Sequence, residues 1–164
     1  MNIEHFGIPA EAGDVEPGNV VLFESNDRLE IGFSVTWDRE PSFISLTQVS
    51  FPEVLKPKDQ AVLVIPCAVL RPNDQRSDIS LVKSQDGQRF SPKSGTLVAV
   101  AEETFLVFVG KFGSNAIASV VSGKVEGWER IKATPLACFQ AWEILLPSQS
   151  HNAHRLLMRH PSTP

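Results

Sequence analysis

The chain has 164 residues, of which 42% are apolar, and this content excludes a wholly disordered chain because it suffices for a buried core. The length indicates a single domain that folds without a metal ion or a disulfide. A formal charge of −4 argues against a protein whose main task is binding nucleic acid, since such binding needs dense lysine and arginine.

The first strand signals fall in residues 19–51. Within residues 28–37, apolar and polar side chains alternate, which predicts a strand with one buried and one solvated face. Residues 19–24 form a second candidate strand, and the Ser-Asn-Asp sequence of residues 25–27 suits a hairpin turn between them. A turn at residues 38–41 leads to a strand over residues 42–51, so we predict a three-stranded antiparallel meander.

The middle of the chain contains a long apolar run, residues 61–70. This run is apolar on both faces, so we expect a covered strand that breaks at Pro66, which has no N–H to donate. Residues 71–78 predict a polar loop, residues 79–84 a strand, and the Asp-Gly pair within residues 85–88 a hairpin turn. Residues 96–101 and 104–112 predict a further pair of strands around Glu102 and Glu103.

The last third of the chain is less clearly patterned. Residues 114–132 partly fit a helix, but glycine and β-branched residues disfavour one, and we predict a strand as far as Val121. A last strand is predicted over residues 138–146, where Pro147 ends it. Ser150 is placed to cap a short helix over residues 151–159.

Twelve prolines are spread along the chain, and proline inside a helix costs about 3 kcal/mol, so long helices have little room. We predict a mainly β fold, an antiparallel β-barrel or sandwich of about 7 to 9 strands, with at most one or two short helices near the C-terminus. The β-rich domain spans residues 19–146. Residues 1–18 form an extended N-terminal arm and residues 147–164 a C-terminal arm or short helix, both ordered by contact with the body or with neighbouring chains.

The cellular setting is inferred from cysteines and apolar runs. Cys67 and Cys138 both lie in apolar stretches, which favours two buried thiols over a disulfide. Residues 1–6 lack the basic start and apolar run of a signal peptide, and residues 61–70 have about half the length that a membrane helix needs. We expect a protein of the cytoplasm or of an assembled particle, with no membrane contact.

Two groups of side chains are candidates for a site. Trp128 lies between Glu126 and the pair Glu129 and Arg130, a polar setting in which its ring could stack on a ligand, although a packing role is favoured. His151, His154 and His160 are the best metal candidates: His151 and His154 are three residues apart and would share a helix face, and His5 or a carboxylate would complete the site. A polar tail with exposed histidines is the favoured interpretation.

Standard catalytic and cofactor motifs are missing, including G-x-G-x-x-G, G-x-S-x-G, H-E-x-x-H and C-x-x-C, so we expect no cofactor. The first hypothesis is a non-catalytic structural or assembly protein, such as a virion, tail or decoration component, with protein partners in a homo-oligomer or larger assembly. An alternative is a ligand- or protein-binding β-barrel of the inhibitor or immunity type. A small enzyme with an unrecognised histidine and carboxylate site is the third.

Overall fold

The computed structural model describes residues 7–47, 54–55, 60–73, 93–110, 113–128, 137–147 and 154–160. These residues form a mainly β fold of three antiparallel sheets, which are arranged like a sandwich and do not close into a barrel. The predicted mainly β fold is therefore confirmed. The strands are β1 (Ile8–Glu11), β2 (Val20–Ser25), β3 (Arg28–Trp37), β4 (Glu40–Ser45), β5 (Val54–Leu55), β6 (Ala61–Ile65), β7 (Val69–Pro72), β8 (Leu97–Val100), β9 (Glu103–Val109), β10 (Asn115–Ser119), β11 (Val125–Gly127), β12 (Ala137–Phe139), β13 (Trp142–Pro147) and β14 (His154–His160).

The described part of the chain thus has fourteen strands, more than the sequence predicted, because turns divide several apolar runs and both ends contribute a strand. The first sheet has the order β1-β6-β2-β3-β4-β5, the second β11-β10-β9-β8-β12, and the third β14-β13-β7. The strand predicted over residues 79–84 and the turn at residues 85–88 lie outside the described residues.

The predicted meander is confirmed as β2, β3 and β4, which pair in succession. Asn26 and Asp27 connect the first pair with φ angles of 51° and 59°, and Asp38 and Arg39 connect the second with 52° and 67°. Positive φ at both central residues defines the type I′ turn, whose twist matches that of the flanking strands. Asparagine and aspartate tolerate this conformation better than most residues, which explains the first turn and the first central residue of the second.

The solvated face predicted for β3 is wrong over its central part, where Glu30 and Ser34 are buried. This face is covered by the N-terminal segment, in which a short 3-10 turn (Ala12–Asp14) follows β1. Ala12 and Val15 pack there against buried residues of the first sheet, namely Val21, Phe23, Phe43 and Val62. Residues 7–18 therefore fold onto the protein's own body.

The apolar run at residues 61–70 breaks where the sequence predicted, at a turn formed by Pro66 and Cys67. The strand before the break, β6, belongs to the first sheet, and the strand after it, β7, belongs to the third. Cys67 is exposed at this turn with a φ of 57°, so the expectation that it is buried is wrong. Cys138 is buried as expected, and both thiols are free.

Residues 115–127 form β10, a turn and β11, so the predicted strand is confirmed but ends at Ser119, two residues before Val121. The single strand predicted over residues 138–146 is divided into β12 and β13, which belong to different sheets. The helix predicted over residues 151–159 is wrong, because residues 154–160 pair with β13 as strand β14. Helix propensity is weak in so short a segment, and pairing with a buried strand outweighs it.

All three sheets contribute to one main core. Beyond it, each of the two larger sheets buries apolar residues on its other face, in the cluster around Phe23 and in a second around Phe105. No helix in the described part of the chain has the length and hydropathy to cross a membrane. The main core consists of Val20, Phe33, Val35, Ile44, Leu46, Ile65, Leu70, Leu97, Leu106, Phe108, Ala116, Ala118, Trp142, Ile144 and Leu146.

The first and second sheets meet at Gly123, which lies between β10 and β11. The Thr36 N–H of β3 donates to the Gly123 carbonyl oxygen at 3.2 Å, and the Gly18 N–H, just before β2, donates to the Ser34 carbonyl oxygen of β3 at 2.8 Å. Gly18 and Gly123 have φ angles of 92° and 64°. A Cβ atom on Gly123 would lie 2.6 Å from the Ser34 carbonyl oxygen, so this close approach requires glycine.

Candidate functional site

The third sheet has one face in the core and one that faces away from it. Along β13, Trp142, Ile144 and Leu146 point into the main core. Glu143 and Leu145 alternate with them and therefore point to the opposite side. The same separation of faces extends to the two flanking strands, because residues paired across antiparallel strands share a face.

Two rows of side chains cross this opposite side. Leu145 pairs with Val69 of β7 and with Leu156 of β14, while Glu143 pairs with Arg71 and Arg159 of the same strands. We call this surface the outer face. It consists of Val69, Arg71, Glu143, Leu145, Leu156 and Arg159.

The outer face is buried along its centre and open along its flanks. Leu145 and Glu143 are only 5% and 8% exposed, whereas Val69 is 51% and Leu156 is 42% exposed. Arg71 and Arg159 are also exposed. Exposed apolar residues beside arginine are typical of protein–protein contact surfaces, where arginine is enriched and can bind a carboxylate with two hydrogen bonds.

Three of the edge strands, including both edges of the third sheet, are poorly suited to pairing with another strand. β1 is an edge of the first sheet and contains Pro9, and β7 is an edge of the third sheet and ends at Pro72. Proline has no N–H to donate to a neighbouring strand. β14, the opposite edge, carries arginine, and its register with β13 shifts between Ile144 and Leu145. A contact through the face of the third sheet is therefore favoured over strand addition.

The charges of the protein are unevenly distributed. Residues 7–47 contain eight carboxylates and two arginines. Residues 154–160 contain two arginines and no carboxylate. The outer face, with two arginines and one carboxylate, therefore lies on an acidic protein as a locally basic surface.

The residues around Trp128 do not form an exposed platform in the described part of the chain. Trp128 is buried in the second apolar cluster with Phe105, Ile117 and Cys138, which is the packing role that the sequence favoured. The Lys124 ammonium forms an ion pair with the Glu126 carboxylate, with Nζ and Oε1 3.0 Å apart. Glu129 and Arg130 lie outside the described residues.

The candidate metal ligands are largely outside the described part of the chain. His5 and His151 are not described, and His154 is described only as the first residue of β14. Among the described residues, no group of three or more histidine, cysteine, aspartate or glutamate side chains is placed to hold a metal ion.

His160, the third candidate ligand, is half-buried, so the expectation of an exposed histidine is wrong at this position. Its ring stacks on the Trp142 ring with a centroid distance of 4.8 Å and an angle of 12°. The Trp142 indole N–H donates to the Gly95 carbonyl oxygen at 2.7 Å. Burial lowers the pKa of His160 below its usual value of 6.5. This contact connects the end of β14 to the turn before β8.

Sequence reasoning missed the outer face because its rows combine residues far apart in the chain. One local signal was available: a charged residue, Glu143, interrupts an otherwise apolar strand. No family model, curated protein or solved structure matches this chain.

Proposed function

We propose that this protein is a non-catalytic assembly component that binds further copies of itself through the outer face. The observation that carries the proposal is the exposure of Val69 and Leu156 on the two flanks of this face, each in the same row as Leu145. Burying such residues against another chain is favourable by about 25 cal/mol for each Å² of apolar surface removed from water. The neighbouring arginines supply directional contacts at the same surface.

The third sheet supports this role because its other side is fixed by the main core. Leu70, Ile144 and Trp142 hold the sheet from within, so the outer face is presented on a rigid support. Rigid surfaces lose little conformational entropy on association.

The test is the native mass in solution, measured by size-exclusion chromatography with light scattering over a range of concentrations. We expect the wild-type mass to exceed the chain mass of 18.0 kDa. The double substitution Val69→Asp with Leu156→Asp places carboxylates on both flanks and is expected to yield a folded monomer.

A matched control is Leu29→Asp, since Leu29 is 71% exposed but lies at the β2–β3 hairpin. This variant should keep the wild-type mass. Circular dichroism checks that each variant remains folded. A wild-type protein that stays at 18.0 kDa at every concentration would refute self-assembly.

A further inference from the structure

The N-terminal segment presents a surface that is complementary to the outer face. Glu11, Asp14 and Glu16 are all exposed. Ala12 and Val15 point the other way, into the apolar cluster of the first sheet. The segment is therefore fixed on the body with its carboxylates facing solvent. We call Glu11, Asp14 and Glu16 the acidic surface.

The two surfaces carry opposite charges. The outer face offers two guanidinium groups beside Val69 and Leu156, while the acidic surface offers three carboxylates. Opposite potentials across an interface favour the correct partner and fix its register.

A symmetric contact between two outer faces is less favourable. Each outer face carries two arginines and one glutamate, so a pair of them would bring excess positive charge together. Like charges placed against each other at an interface disfavour association. The acidic surface of the same chain supplies the missing negative charge.

We propose that the outer face of one copy binds the acidic surface of the next copy in a head-to-tail contact. This inference rests on the proposed self-assembly and specifies its geometry. Because the two surfaces differ, each bound copy keeps one of each open, and repetition of the contact gives a ring or an extended chain.

Charge reversal tests the pairing. One variant combines Arg71→Glu with Arg159→Glu, and the other combines Glu11→Arg, Asp14→Arg and Glu16→Arg. In each variant alone the two surfaces carry like charges, so we expect loss of assembly and a mass of 18.0 kDa. An equal mixture of the two variants restores opposite charges across the contact, and assembly should return.

The control reverses two exposed carboxylates elsewhere, Glu24→Arg with Glu102→Arg, and should assemble like the wild type. Added salt should weaken assembly of the wild type and of the mixture, because it screens exposed charges.

The outcomes separate the two proposals. If Val69→Asp with Leu156→Asp abolishes assembly but the charge reversals do not, the outer face is the contact surface and the head-to-tail pairing is wrong. The pairing is also wrong if each reversal abolishes assembly and the mixture does not restore it. A monomeric wild-type protein would instead overturn the proposed function itself.

Discussion

At the residue scale, His160 occupies a position that disfavours its charged form. The ring lies between Trp142, on which it stacks, and Gly95, where a Cβ atom would lie 3.0 Å from Nε2. Burial lowers the pKa of His160 from 6.5, so the unfolded chain binds a proton more readily than the folded one. The contribution of His160 to the free energy of unfolding is fully present above 6.5, the pKa of the group in the unfolded chain. It is lost as the pH falls through 6.5 towards the lower pKa of the folded protein.

We predict that the free energy of unfolding falls between about pH 8 and about pH 5, and that His160→Phe reduces this fall. Phenylalanine keeps the aromatic stack on Trp142 but cannot take up a proton. Urea unfolding at both pH values measures the difference. Equal losses in the two proteins would mean that His160 does not contribute to the pH dependence.

The two cysteines differ in their exposure to solvent. Burial raises the pKa of the Cys138 thiol to about 11, while Cys67 is exposed at a turn. Because the thiolate is the reactive form, a thiol reagent at about pH 8 should modify Cys67 and leave Cys138 unmodified until the protein is unfolded. Absorbance from Ellman's reagent counts the reactive thiols. The Cys67→Ser variant should show no reactive thiol in the folded state.

At the element scale, the junction between the first and second sheets gives a matched pair of glycine substitutions. Gly123 and Gly113 have similar positive φ angles of 64° and 73°, but only Gly123 is crowded, with nothing within 4 Å of a Cβ atom at Gly113. Gly113→Ala should cost about 1 kcal/mol from backbone strain alone. Gly123→Ala should cost about 3 kcal/mol or more, because overpacking adds to the same strain.

Chemical denaturation of both variants measures the difference in unfolding free energy. Similar losses at the two positions would show that the close approach of Gly123 to Ser34 does not hold the sheets together.

The sequence predicted those strands and turns whose formation is determined by residues close together in the chain. The alternation in β3, the Asn-Asp turn before it and the break at Pro66 are all determined within a few residues. The pairing of β14 with β13 was missed, because residues 154–160 contain three adjacent apolar residues with no period of two. The burial of Glu30 was missed because the apolar cluster on its face of the sheet includes Ala12 and Val15 from the N-terminal segment, and because Ser45, which donates a hydrogen bond to it, comes from another strand.

The candidate site was less predictable than the fold. Its rows depend on the register between β7, β13 and β14, and no local pattern specifies pairing between segments so far apart. The choice of Trp128 followed its polar neighbours in sequence, whereas Phe105 and Cys138, which bury it, come from other strands. Sequence neighbours are therefore a poor guide to exposure in a fold with many long-range pairings.

At the scale of the whole molecule, the N-terminal segment belongs to the folded body. Val15 is buried in the apolar cluster of the first sheet, whereas Ile8 in the same segment is largely exposed. Val15→Ala should lower the unfolding free energy by about 1 to 3 kcal/mol, and Ile8→Ala by less than about 0.5 kcal/mol. Thermal or urea unfolding of the two variants measures this contrast. Equal, small effects would indicate that the segment contributes little to folding.

The break at Pro66 and Cys67 also determines the order in which the protein can fold during synthesis. Strands β1 to β6 are complete once residue 65 has left the ribosome, so the first sheet can form early. Strand β7 follows at once, yet among the described strands it pairs only with β13, which is translated near the end. A nascent chain that is stalled before residue 142 would therefore expose β7 without its partner strand. Such unpaired strand edges make incompletely folded chains prone to aggregation and are one reason that chaperones are needed.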